Sequence, residues 1–211
     1  MALFIDSAIV DEVREAVGWG FVAGVTTNPG LMALAQRPAE DVIKELCRLT
    51  DGPVFYQVTK NDPPEREAEA RHFAAISPGQ VVLKIPCTLS GLALAARLSP
   101  EIPCAATAIF SAAQTFLALE AGARYVIPYV NRATRLMGDG LALVRTMADI
   151  VACSGREAEV LAASLKTPDE VTSAILAGAR HVTIPLSVIE AMAEHEFTVA
   201  AIEEFARAQA G

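Results

Sequence analysis

Lys84 has the most unusual setting of any residue in the chain. It stands in Val81-Val82-Leu83-Lys84-Ile85-Pro86, an apolar run that reads as a strand buried on both faces. Burying an unpaired ammonium is strongly unfavourable, so such a lysine either pairs with an anion or loses its proton more readily than usual. A neutral, desolvated amine is the form that attacks a carbonyl carbon. Asp6 closes another apolar run, Ala2 to Asp6. On the local sequence alone two readings of Lys84 stay open: a nucleophile, or a structural ion pair with Asp6.

Other polar side chains fall in equivalent places. Apolar runs end on Thr26, with Thr27 and Asn28 following, and on Gln57, Thr107, Tyr129 and Ser164. Loops begin at such points, which would explain a single Thr or Ser. It does not explain a lysine and an aspartate inside apolar runs. The joint pattern is a one-sided polar ring, and it favours the nucleophile reading. Zinc-assisted carbonyl chemistry would need clustered ligands. His72, His181 and His195 share no strand end, and Cys47, Cys87, Cys104 and Cys153 are scattered without a CxxC pair. These cysteines read as inert reduced thiols, and no metal or organic cofactor is expected. Gly18-Trp19-Gly20-Phe21-Val22-Ala23 matches a GxGxxA string but precedes a strand, the reverse of a dinucleotide fingerprint. There is no P-loop and no GxSxG. A lysine-centred carbonyl mechanism remains.

The elements that must hold this ring are legible as eight short apolar runs alternating with helical patterns. The runs are Ala2–Asp6, Phe21–Thr26, Pro53–Val58, Val81–Ile85, Cys104–Ile109, Tyr125–Val130, Val160–Ala163 and His181–Ile184. Helical patterns occupy 8–18, 38–50, 64–76, 88–98, 111–122, 138–153, 167–178 and 186–194. Strict alternation implies a parallel sheet. An open doubly wound sheet usually has five or six strands. Eight strands repeating every 25 or so residues fit closure into a small (β/α)8 TIM barrel, with chemistry at the carboxyl ends of its strands. The expectation is an α/β fold with one barrel domain over residues 1–211. An additional C-terminal helix over 197–210 carries apolar positions at 199, 202, 205 and 206.

Composition narrows the partners. A net charge of −8 without basic runs argues against nucleic acid, yet a few local cations suffice to hold one phosphate. No apolar run reaches the ~18 residues a membrane span requires. The first residues lack a basic region and cleavage site, so no secretory signal is expected and the compartment reads as cytoplasmic.

Taken together, several strings resemble the transaldolase family, in particular its small-chain branch with fructose-6-phosphate aldolase. They are Phe4-Ile5-Asp6-Ser7-Ala8, Gly24-Val25-Thr26-Thr27-Asn28-Pro29, Val82 to Pro86, Thr107 to Gln114, Ala121-Gly122-Ala123, Pro128 to Arg132 and Ala162 to Thr167. The resemblance spans essentially the whole chain. It implies class I aldolase chemistry with Lys84 as the Schiff-base lysine and a small sugar phosphate as substrate. It implies that Asp6 handles the C4 hydroxyl proton, that Thr26 and Asn28 donate to a dihydroxyacetone unit, and that Arg132 and Ser164 hold the phosphate. It also suggests a ring-like homo-oligomer. Within the family, transaldolases carry Glu and typically Phe where this chain has Gln57 and Tyr129, which makes it similar to the aldolase branch. Phe110 is a transaldolase-like choice, and Gly30 and Ser7 depart from the commoner residues. Ketose-phosphate cleavage is the expectation, with transfer of a dihydroxyacetone unit between sugar phosphates as the alternative.

Overall fold

The computed structural model describes residues 1–209. Eight parallel strands close into a barrel in sequential order: β1 (Ala2–Asp6), β2 (Val22–Thr26), β3 (Val54–Gln57), β4 (Val81–Pro86), β5 (Cys104–Ile109), β6 (Tyr125–Pro128), β7 (Glu159–Ala162) and β8 (His181–Ile184), with β1 pairing β8. The helices are α1 (Val10–Gly18), α2 (Pro29–Leu34), α3 (Ala39–Leu49), α4 (Pro63–Ala74), α5 (Leu89–Leu98), α6 (Ala112–Glu120), α7 (Val130–Met137), α8 (Gly140–Ser154), α9 (Pro168–Leu176), α10 (Leu186–Ala193) and α11 (Glu196–Gln209). This is the expected (β/α)8 barrel with a C-terminal helix. The expected tail reached Ala210, which lies outside the described residues. Among the described residues no helix is long and apolar enough to cross a membrane.

Strand alternation sorts every side chain into one of two cores. Ile5, Val25, Val54, Val81, Ala106, Val126, Val160 and Val182 face outward and pack under the helices. Phe4, Phe55, Val82, Ala105, Tyr125, Ile127 and Leu161 face inward and fill the barrel. The inner aromatics meet edge to face, with Phe4–Phe55 centroids 5.7 Å apart and Phe55–Tyr125 5.1 Å apart. The period of two then fixes the layer above. Two residues beyond Phe4, Phe55, Val82 and Ala105 stand Asp6, Gln57, Lys84 and Thr107, pointing to the same side as the core beneath them.

On that upper side the strand-to-helix loops are pinned by side-chain caps. Asn28 accepts from Leu31 N, Asp62 from Glu65 N, Thr88 from Gly91 N, Ser111 from Gln114 N and Thr167 from Glu170 N. Each cap satisfies an orphan helix N–H. On the lower side Gly122 and Gly178 stop α6 and α9 with positive φ.

Two helices depart from the expected map. The segment after Asn28-Pro29 forms α2, and 130–137 forms α7 rather than the end of a strand and a loop. Strand six therefore ends at Pro128, not Val130. Val130 is β-branched and reads as strand by type. Its N–H still bonds Ala163 O at 2.9 Å in a parallel bridge between Tyr129 and Ala163, but Tyr129 O accepts from Ala133 N at 2.7 Å and starts the helix. The helix buries Val130 and Ala133, a spacing of three. The tail helix α11 buries none of its residues, and Phe197, Val199, Ile202 and Phe205 remain exposed.

Gly24 keeps the inner core closed. A Cβ there would sit 2.4 Å from Pro53 O and 3.0 Å from the Phe4 ring. Gly24→Ala should destabilise the fold by about 1–3 kcal/mol through overpacking, read as a lower midpoint in urea. An unchanged midpoint would mean that the β1–β3 packing has slack.

Candidate active site

Lys84 lies on the inner face of β4, beside Gln57 in register and only 3% exposed. Its Nζ donates to Thr27 O at 2.8 Å. That carbonyl is held by its own residue, since Thr27 N and Oγ1 both donate to Phe55 O, at 3.2 and 2.7 Å. Among the described residues no ion pair involves Lys84, so the alternative of a contact pair with Asp6 does not hold. Burial lowers the pKa of the amine from the ordinary lysine value, and the more distant Asp6 charge opposes that shift without forming a bond. One N–H on Thr27 O leaves the nitrogen lone pair of the neutral form for the cavity above.

That cavity has a volume of about 310 Å3. Asp6, Asn28, Gln57, Lys84, Tyr129, Arg132 and Ser164 all line it, so seven of the nine anticipated site residues come together. Thr26 and Thr107 stand one step back. Thr26 is fully buried, and its Oγ1 donates to Asp6 Oδ1 at 2.8 Å. Its hydroxyl orients the carboxylate and does not open on the cavity as a donor. Thr107 donates to the Tyr129 hydroxyl oxygen at 3.0 Å. With a lone pair so occupied, the Tyr129 proton is free to be given elsewhere. Burial raises the Tyr129 pKa, with the Thr107 bond and the nearby Arg132 charge offsetting part of the effect, so the phenol stays protonated. The geometry of Thr107 depends on a bulge: Thr107 opposes Ile127 and Ile109 opposes Pro128, leaving Ala108 extra at φ +57°.

Gln57 and Asn28 present complementary groups. Gln57 Oε1 is buried without a hydrogen-bond partner among the described residues, an acceptor that a hydroxyl or water in the cavity would satisfy. Asn28 uses its Oδ1 on the α2 N-terminus at 3.1 Å, which turns its Nδ2 donors away from the cap. Asp6 accepts, Asn28 donates, and Tyr129 can do either.

The outer end of the cavity is cationic. Arg132 is exposed and forms no ion pair among the described residues, with its Cζ 5.2 Å from the Tyr129 ring centroid. Ser164 adopts φ +61°, a conformation unfavourable for a residue with a Cβ, at the start of the loop after β7. Lys166, two residues on, also lines the cavity. Glu170 ties the start of α7 to the loop after β7, accepting from Asn131 Nδ2 at 2.7 Å and from Lys166 N at 2.6 Å. Two cations and a hydroxyl so placed suit a phosphate. Lys166 was absent from the expected site. Its stretch, Ser164 to Glu170, is a clear helix cap, and that role hid a cation two positions from a site serine. The histidines lie elsewhere. His72 pairs with Glu40 on an exposed helix face, His181 opens β8 at the opposite end of the barrel, and His195 precedes α11.

A buried amine under a ring of polar groups lies at the carboxyl ends of the strands of a (β/α)8 barrel, the end at which such barrels carry their chemistry. The chain belongs to the transaldolase/fructose-6-phosphate aldolase family, whose description "Transaldolase/Fructose-6-phosphate aldolase" matches residues 3–210. It is similar to a "Probable transaldolase" of Symbiobacterium thermophilum, 40% identical over 206 residues that cover 97% of this chain and 95% of the relative. A "Probable transaldolase" of Brachyspira hyodysenteriae is 43% identical over 208 residues, covering 97% and 95%. "Probable transaldolase 1" of Listeria monocytogenes serotype 4b is 42% identical over 206 residues, covering 97% and 96%.

The lowered Lys84 pKa has a consequence for stability. Between its folded value and the ordinary value of about 10.4, the unfolded chain holds a proton that the folded chain lacks. Folding stability therefore rises with pH across that window. The unfolding free energy of wild type minus that of Lys84→Met should increase as pH climbs through it, measured by urea melts at several pH values. A flat or falling difference would show that the amine is not desolvated.

Proposed function

We propose that this enzyme is a class I aldolase that reversibly cleaves a ketose phosphate such as fructose 6-phosphate to dihydroxyacetone and an aldehyde phosphate. The observation that carries the reading is a buried, unpaired amine opening on a cavity with a cationic outer end. Lys84 adds to the C2 ketone, and loss of water gives an iminium. Asp6 takes the C4 hydroxyl proton, the C3–C4 bond breaks, and the aldehyde phosphate leaves. The bonding electrons collapse into an enamine on Lys84. Protonation at C3 and addition of water to the iminium then release dihydroxyacetone and restore the amine. Arg132, Ser164 and Lys166 hold the phosphate, and Asn28 donates to the dihydroxyacetone hydroxyls.

The second half-reaction separates two activities. Tyr129, with its oxygen engaged by Thr107, has its proton available for a water or for the enamine carbon. The unpartnered Gln57 Oε1 supplies an acceptor for the same water without adding charge. Together they support quenching of the enamine, hence aldol cleavage. The names of the relatives favour the other reading, a transaldolase in which the enamine waits for an acceptor aldehyde. Assembly belongs to the same proposal. The apolar stripe of α11, unburied on its own barrel, supports a homo-oligomer in which a neighbouring subunit covers it.

The test measures two products. Wild type should release free dihydroxyacetone from fructose 6-phosphate with no acceptor present. Tyr129→Phe should cut that release by roughly 10²-fold or more, the usual worth of general acid–base help. Transfer to an added aldose phosphate should fall much less. Efficient transfer with almost no release by wild type would assign the transaldolase activity instead.

A further inference from the structure

The hydrogen bonds of Asp6 do not end at Thr26. Thr26 Oγ1 lies 2.6 Å from Thr183 Oγ1, and Thr183 is 2% exposed on the inner face of β8. A hydroxyl has one proton. If Thr26 gives its proton to the Asp6 carboxylate, the short contact with Thr183 must be closed by the Thr183 proton. The opposite orientation would turn a Thr26 lone pair toward Asp6 Oδ1, which is repulsive while the carboxylate is ionised. The chain thus runs in one direction, from Thr183 to Thr26 to Asp6, across β8, β2 and β1.

We propose that Thr183 is a positioning residue for the carbon–carbon cleavage step, acting through Thr26 on Asp6. This rests on the aldolase-family reading of Lys84 and Asp6 given above. Donation by Thr183 polarises the Thr26 hydroxyl and strengthens its bond to Oδ1, as linked hydrogen bonds do at low dielectric. It also removes the other acceptor toward which the Thr26 rotor could turn. Oδ1 is then permanently engaged, the carboxylate plane is fixed, and Oδ2 is the oxygen left to receive the C4 hydroxyl proton. No proton needs to move along the chain, because Oδ2 takes the substrate's proton and returns it in the reverse direction.

The requirement falls on one step only. Dihydroxyacetone has no C4, so its adduct with Lys84 forms without the proton transfer that Asp6 performs during cleavage. Thr183→Val keeps the shape and removes the hydroxyl, and Thr183→Ser keeps the hydroxyl and removes a methyl. The expected result for Thr183→Val is a kcat for fructose 6-phosphate cleavage about tenfold lower, with KM little changed. Its yield of borohydride-trapped dihydroxyacetone on Lys84 should equal that of wild type, and Thr183→Ser should recover kcat to within about twofold. Thr183→Ala, which creates space rather than strain, should behave like the valine variant and serves if that protein does not fold. Wild-type kcat in Thr183→Val or Thr183→Ala overturns the proposal. So does a Thr183→Ser enzyme as slow as the valine variant, which would make the side chain a packing element. If wild type itself forms no adduct on Lys84, the parent reading fails and this one with it, an outcome separable from the other two by the wild-type control alone.

Discussion

A charged amine is far better solvated by water than by the interior of a β-barrel. That difference organises the site. Lys84 sits directly above a layer of apolar and aromatic side chains, and its hydrogen-bond partner among the described residues is a neutral carbonyl. Among the described residues no carboxylate pairs with it. The same desolvation that costs stability when the amine is protonated makes the neutral, nucleophilic form accessible. Everything else in the ring is arranged so that this condition survives. Asp6 accepts from the Thr26 hydroxyl rather than from the lysine. The strongly basic groups, Arg132 and Lys166, stand at the outer end of the cavity, where they can attract an anion while still wet.

The barrel supplies the positioning at little local expense. Because inward and outward residues alternate, a layer of reactive side chains can be placed on top of a packed apolar layer by choosing alternate residues in each strand. The layer is then rigid because the one beneath it is. Departures from regularity occur where the alternation alone would aim a group wrongly. The bulge at Ala108 and the left-handed backbone at Ser164 are such places. Both carry a Cβ in a conformation that disfavours one, and both adjoin a residue of the ring or belong to it.

How much of this could be read from the chain depends on whether the signal was local. Strands buried on both faces produce unbroken β-rich runs, so all eight were legible, as was the polar residue closing most of them. Lys84 announced itself because lysine is rare in such a run. The helix 130–137 was hidden because Val130 favours a strand by type and its N–H still makes a strand-like bond to Ala163, and only the bond from Ala133 N to Tyr129 O decides otherwise. Thr26 was legible as a site residue, but not its orientation, since a threonine in a strand looks the same whether it faces a ligand or an aspartate. Thr183 was invisible for the same reason: threonine has high β propensity, and its partner lies 157 positions away. Lys166 gave no such signal, because the stretch around it already has a role in capping α9 through Thr167.

If Lys84 forms the covalent link to the substrate, the adduct itself can be caught on it. The protein would be incubated with a ketose donor, reduced with borohydride, digested and analysed by mass spectrometry. The expected result is a stable added mass on the peptide containing Lys84, and none after Lys84→Met. Labelling of Lys44, Lys60 or Lys166 in its place, or no labelling while the protein still turns over substrate, would contradict it.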